Sequence, residues 1–132
     1  MRISTIGLGR MAGALGRKCA VHGHEVFFGS RDPGKATAFA AEIGNRAQGG
    51  SNDDAAAFGD IVIHTVRGVM PSAILKSVEP LAGKIIIDIN NHEIPPEFAF
   101  DAFEGPSLAE RLAADVPRAK VRLPQPATRR KL

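Results

Sequence analysis

The chain opens with the β-branched run Arg2-Ile3-Ser4-Thr5-Ile6 and passes straight into Gly7-Leu8-Gly9-Arg10-Met11-Ala12 and a helix-forming stretch. Few folds accept a strand, two glycines one residue apart and a helix in immediate succession. Gly7 lets the chain turn sharply off the strand end. Gly9 has no Cβ, so an anion can approach the backbone there. Ala12 is small enough for the helix to pack close to the strand. Free N–H groups and the positive end of the helix dipole then face that anion. A dinucleotide diphosphate is the anion this arrangement suits. The cofactor-binding positions it marks are Gly7, Leu8, Gly9, Arg10, Met11 and Ala12.

Strand and helix signals alternate from there on. The first strand is expected at residues 2–6 and the first helix at 10–22, ended by Gly23. A second strand follows at 24–29, carrying Val26, Phe27 and Phe28. Asp32-Pro33 then reads as a cap and a first helical residue. Ala36, Phe39, Ala40 and Ile43 fall at i, i+3, i+4, i+7, a one-sided apolar stripe. Residues 44–50 are ambiguous, with room only for a short strand around Ala47. Ser51-Asn52-Asp53-Asp54 reads as the capped start of a short helix through Phe58. Residues 60–66 form the next strand, and Pro71 opens a helix through Val78. Ile85-Ile86-Ile87-Asp88-Ile89 is the clearest strand and reads as a central parallel one covered on both faces. After a loop with Pro95 and Pro96, Ser107-Leu108-Ala109-Glu110 is a capping box opening a helix through Ala114. Residues 120–123 add an edge strand. Repeated βαβ units imply an α/β fold: a doubly wound, mostly parallel sheet of the Rossmann NAD(P)-binding kind. Residues 1–123 are expected to be its single domain. Residues 124–132 form a basic, proline-containing tail without a packing pattern, expected to be disordered.

The composition excludes several functions. A hydrophobic share of 44% fits a globular chain. No apolar run approaches the ~20 residues of a membrane span, so no membrane partner is expected. One cysteine, Cys19, excludes an internal disulfide and fits a reducing, cytoplasmic setting. It shares a helix face with Ala12, Leu15 and Gly16, which predicts a buried, inert thiol. The pI of about 9.4 is a property of the tail. Residues 1–114 carry 11 Lys/Arg against 13 Asp/Glu, and residues 115–132 carry six against one. Arg129, Arg130 and Lys131 have no interleaved aromatic to stack on bases, so no nucleic-acid partner is expected. His22 and His24 lack the company of a metal-ligand cluster. Ser72 lacks a nucleophile-elbow context. Neither a metal site nor hydrolytic chemistry is expected.

A site that selects NAD places Asp or Glu at the end of the second strand, to bind the ribose 2′-hydroxyl. Here that point reads Phe28-Gly29-Ser30-Arg31-Asp32-Pro33. Arg31 offers a forked cationic donor, Ser30 a hydroxyl, and Lys35 stands one turn into the helix. The set suits the 2′-phosphate of NADP(H). The alternatives are that these are ordinary turn residues, or that Asp32 swings toward the ribose and favours NAD.

These motifs together resemble the NADP-binding domain of the NADPH-dependent reductases of the deazaflavin coenzyme F420. The residues that carry the resemblance are Gly-Leu-Gly-Arg-Met-Ala, Gly23-His24-Glu25-Val26, Gly29-Ser30-Arg31-Asp32-Pro33, Leu81-Ala82-Gly83-Lys84 and Asn90-Asn91. It extends over about residues 1–120. The resemblance implies hydride transfer between NADP(H) and a second, small-molecule redox carrier, coenzyme F420 or a flavin. It also implies a homodimer. It places the nicotinamide over the strand ends at His64-Thr65-Val66-Arg67 and Asn90-Asn91-His92, so Thr65, Val66, Arg67 and Asn90 join the cofactor-binding set. Catalytic residues stay unassigned, because alignment of two cofactors matters more than acid–base groups. Arg67 reads either as a contact for a phosphate or a substrate carboxylate, or as a surface charge at a strand end. His64 reads as a core or edge histidine, and His92 as a loop residue beside the nicotinamide. Such reductases continue past residues 120–123 into a mostly helical portion, whereas this chain turns to Pro124-Gln125-Pro126. A module that holds NADP(H) without turnover of its own is therefore the alternative function.

Overall fold

The run Arg2–Ile6 forms β1, and every residue of it after Arg2 is buried. A strand so covered needs partners on both sides and helices on both faces. In the computed structural model, which describes residues 1–66, 69–89 and 108–122, it has them. β1 pairs in parallel with β2 (Glu25–Ser30) on one side and β4 (Ile61–His64) on the other. β3 (Gln48–Ser51) flanks β2, while β5 (Ile85–Asp88) and β6 (Lys120–Arg122) extend the sheet beyond β4. The resulting order is β3-β2-β1-β4-β5-β6, parallel throughout. This is the order of a dinucleotide-binding α/β sheet, and it reverses direction between β1 and β4.

The connecting helices are α1 (Arg10–Val21), α2 (Pro33–Ile43), α3 (Asn52–Phe58), α4 (Pro71–Ile74) and α5 (Leu108–Asp115). Ala20 of α1 and Ala36 and Ala40 of α2 pack with Val26 and Phe28. Ala56 of α3 and Leu112 of α5 pack with Ile6, Val62 and Ile86. Helix termini follow the capping signals. Gly23 (φ 91°) closes α1: its N–H reaches the Ala20 carbonyl and the His24 N–H reaches that of Cys19. The Asp32 carboxylate accepts the Lys35 N–H at 3.2 Å ahead of Pro33, and Ser51 Oγ accepts the Asp54 N–H at 3.0 Å. Lys84 Nζ donates to the Ala56 and Ala57 carbonyls at 2.6 and 3.0 Å, capping the far end of α3. Cys19 is half-buried, and burial pushes its thiol pKa up.

Three elements differ from the sequence expectation. α4 stops at Ile74 rather than Val78. Leu75 turns to extended backbone (φ −93°, ψ 149°) to enter the core, and Asp53 captures the Lys76 N–H at 2.7 Å. The ambiguous stretch does contain a strand, but at Gln48–Ser51. Its Gly49 lies against the backbone of Ala36, where a Cβ would overlap the carbonyl. On β5, Ile86 and Asp88 are buried while Ile85 and Ile87 are half-buried, so β5 is less covered on one face than β1 and β4, which bury residues on both.

α1 approaches the sheet closely at Gly16. A Cβ there would overlap the Phe28 ring, which also meets Phe39 edge-on at 5.0 Å between centroids. Gly16→Ala should therefore lower stability by about 1–3 kcal/mol, as overpacking does. Chemical denaturation of the two proteins measures this.

Candidate functional site

A cleft of about 670 Å³ opens at the carboxyl ends of β1, β2 and β4, at the point where strand order reverses. Its floor is the turn after β1. Gly7 has φ 93°, and a Cβ there would lie 2.6 Å from Thr65 Oγ1 and 2.7 Å from Val66 Cγ2. Thr65 holds the same turn: both its N–H (3.1 Å) and its hydroxyl (2.8 Å) donate to the Ile6 carbonyl. Asn52 Oδ1 accepts the Gly7 N–H at 3.0 Å.

Gly9 is the opposite case. A Cβ built on it meets nothing within 4 Å, so the space above it is open. It is the N-cap of α1, with no side chain capping the helix and no acidic residue in the first turn. The first N–H bonded within the helix is that of Gly13, to the Gly9 carbonyl at 3.0 Å. The preceding donors of the first turn are thus free to meet an anion.

At the end of β2, Ser30 Oγ accepts the Asp32 N–H at 3.1 Å, which leaves the Ser30 hydroxyl proton to donate elsewhere. The Asp32 carboxylate is taken by the α2 cap. Arg31 and Lys35 line the cleft, and among the described residues neither has a carboxylate partner. On the far side, Val66, Val69, Ala73 and Ile74 supply an apolar wall.

The structure thus brings Gly7, Leu8, Gly9, Ser30, Arg31, Lys35, Thr65 and Val66 to one cleft. Arg10 and Met11 are exposed in the first turn of α1. The Ala12 side chain is fully buried and acts through its small size. Arg67 and Asn90 lie outside the described residues. Asn52 was not singled out by sequence reasoning: its position looks like any residue at a helix start. Among the described residues no group of three His, Cys, Asp or Glu is placed to hold a metal ion, and no helix is long and apolar enough to cross a membrane.

Residues 2–92 match the sequence profile of the family described as NADP oxidoreductase, coenzyme F420-dependent. The chain belongs to this family. A crystal structure from Arthrobacter sp. FB24, provisionally described as an F420-dependent NADP-reductase, is 30% identical with a TM-score of 0.72. The match covers 92% of this chain and 60% of that one, so the chain spans less than two thirds of its length. An imine reductase from Streptomyces aurantiacus shares the fold at 22% identity and a TM-score of 0.58, over 92% of this chain and 39% of the other. A reductive aminase from Aspergillus terreus also shares it, at 22% identity and a TM-score of 0.58, over 92% and 38%. No curated protein sequence matches the chain.

In this member of the coenzyme F420-dependent family, β4 ends in a buried histidine. His64 is 1% exposed. Its Nε2 donates to the Val69 carbonyl at 2.8 Å, which makes Nδ1 the unprotonated nitrogen. Nδ1 is sealed from solvent without a partner, so the core histidine is only half satisfied. Burial pushes the His64 pKa below the usual histidine value, against the opposing pull of the Val69 carbonyl, Asp88 and Asp115. The unfolded chain therefore binds this proton more readily. The stabilising contribution is complete above about pH 6.5 and is lost as pH falls through the lower folded value. We expect the denaturation midpoint to fall between about pH 7.5 and about pH 5.5, and to fall less in His64→Gln.

Proposed function

We propose that the chain binds NADP(H) in this cleft and exchanges hydride with a second redox carrier, a deazaflavin such as coenzyme F420 or a flavin. One observation carries the reading: an uncapped helix start above bare Gly9 shares the cleft with Arg31, after β2, and Lys35, in the first turn of α2, two cations with no carboxylate partner among the described residues. Diphosphate oxygens would be held by the first-turn N–H groups of α1, where the dipole favours negative charge. Arg31, Lys35 and the Ser30 hydroxyl are the groups suited to a 2′-phosphate. The capping role of Asp32 supports the same choice, because one oxygen of that carboxylate is engaged by the Lys35 N–H at the start of α2.

When bound, NADP(H) supplies the hydride chemistry through its nicotinamide. The chain's own contribution is alignment and water exclusion. Thr65 and Asn52 hold the glycine turn from either side, and the wall of Val66, Val69, Ala73 and Ile74 keeps one flank of the cleft apolar. Family membership supports the carrier class.

Two substitutions separate the parts of this reading. In calorimetric titrations, Arg31→Ala should weaken NADPH by about 1.5–3 kcal/mol, the scale of a charge-assisted hydrogen bond, and leave NADH nearly unchanged. Equal losses for both nucleotides would contradict the role of Arg31. Gly9→Ala should cost at most ~1 kcal/mol of stability, the scale of an N-cap change, while sharply weakening NADPH. NADPH oxidation by the unsubstituted protein with deazaflavin, flavin and quinone acceptors tests turnover. Binding without oxidation of any of them would make NADP(H) holding the function.

A further inference from the structure

Asn52 opens α3, the helix after edge strand β3, yet its side chain reaches the turn after β1. It crosses β2 to do so. A Cβ on Gly29 would lie 2.7 Å from Asn52 Oδ1, so the bare position at Gly29 is what allows the crossing. The Asn52 residue is 5% exposed and lines the cleft with Gly7, Gly9 and Ser30. Because Oδ1 accepts the Gly7 N–H, the orientation of the amide is fixed and Nδ2 is its free end.

Among the described residues no group accepts a hydrogen bond from Nδ2. Among the described residues, the side-chain atoms that are both sealed from solvent and unpartnered are Ser4 Oγ and His64 Nδ1, and Nδ2 is not among them. The Asn52 NH₂ therefore opens on the cleft, with two donors and, among the described residues, nothing to receive them. Nearly buried donors left unmet cost free energy that an incoming oxygen restores.

We infer that Asn52 is a nucleotide-binding residue whose Nδ2 donates to an oxygen of the adenosine ribose–diphosphate segment. This rests on the NADP(H) reading above and assigns a contact within it. The segment belongs between the glycine cradle and Ser30, which is where Asn52 stands. It is common to NADPH, NADH and ADP. Asn52 thus acts on all three alike, whereas Arg31 acts on the 2′-phosphate alone. A neutral amide suits this place, because it donates without adding a charge.

Asn52→Asp separates the two ends of the side chain. A carboxylate oxygen still accepts the Gly7 N–H and suits the first turn of α3, but the two donors are replaced by a negative charge. Calorimetric titration with NADPH, NADH and ADP should show all three bound about tenfold more weakly or worse. The thermal midpoint of the nucleotide-free protein should be retained. Unchanged affinities in a folded Asn52→Asp protein overturn the inference and leave the NADP(H) reading intact. Unsubstituted protein that binds none of the three overturns both. Should the variant fail to fold, the side-chain NH₂ resonances of Asn52 in the unsubstituted protein decide the matter. ADP should shift them if Nδ2 donates, and resonances that stay in place at saturation overturn the inference.

Discussion

A single backbone N–H, that of Gly7, joins three parts of the molecule. It leaves the end of β1, turns through a positive φ and is received by a side chain from α3. From the other side, Thr65 grips the carbonyl of Ile6 with two donors, so the end of β4 is fixed to the same turn. The direction of α1 follows from this clamp, and so does the direction of its unbonded first-turn amides. A helix start binds an anion well only when its donors are already aimed, since ordering them on binding would consume the gain. Here the ordering is done by interactions that also hold the sheet together.

Small residues serve opposite ends along this segment. Gly7 is small because Thr65 and Val66 fill the space around it. Gly9 is small with nothing around it, which leaves volume for something that is not protein. Gly16 is small because an aromatic ring occupies the place of its side chain. The cations nearby complete the picture. Arg31 and Lys35 are exposed and carry no internal partner among the described residues, so their charge is available to a ligand at little desolvation cost.

Much of this was legible in the sequence, for local reasons. The glycine turn, the Asp32 and Ser51 caps, the Gly23 stop and the alternation of strand and helix all depend on residues within a few positions of each other. Long-range effects were not legible. α4 is cut short because Asp53, far back in the chain, captures the Lys76 N–H. β3 contains Gly49 and Gly50, which weaken any strand signal, and the reason for Gly49 is the backbone of α2 lying on it. Asn52 reads as one more polar residue behind an N-cap, and only folding brings it to Gly7. His64 continues an apolar strand, and no sequence pattern reveals that one ring nitrogen finds a carbonyl while the other finds nothing. Arg67, Asn90 and His92 fall outside the described residues.

The ring of Phe28 seated in the notch at Gly16 links two positions on different elements into one unit of inheritance. A larger residue in the helix is admissible only after the ring has shrunk, and a shrunken ring leaves a void until the helix position has grown. Either single step is penalised, so descendants of this chain should keep both residues or exchange them together.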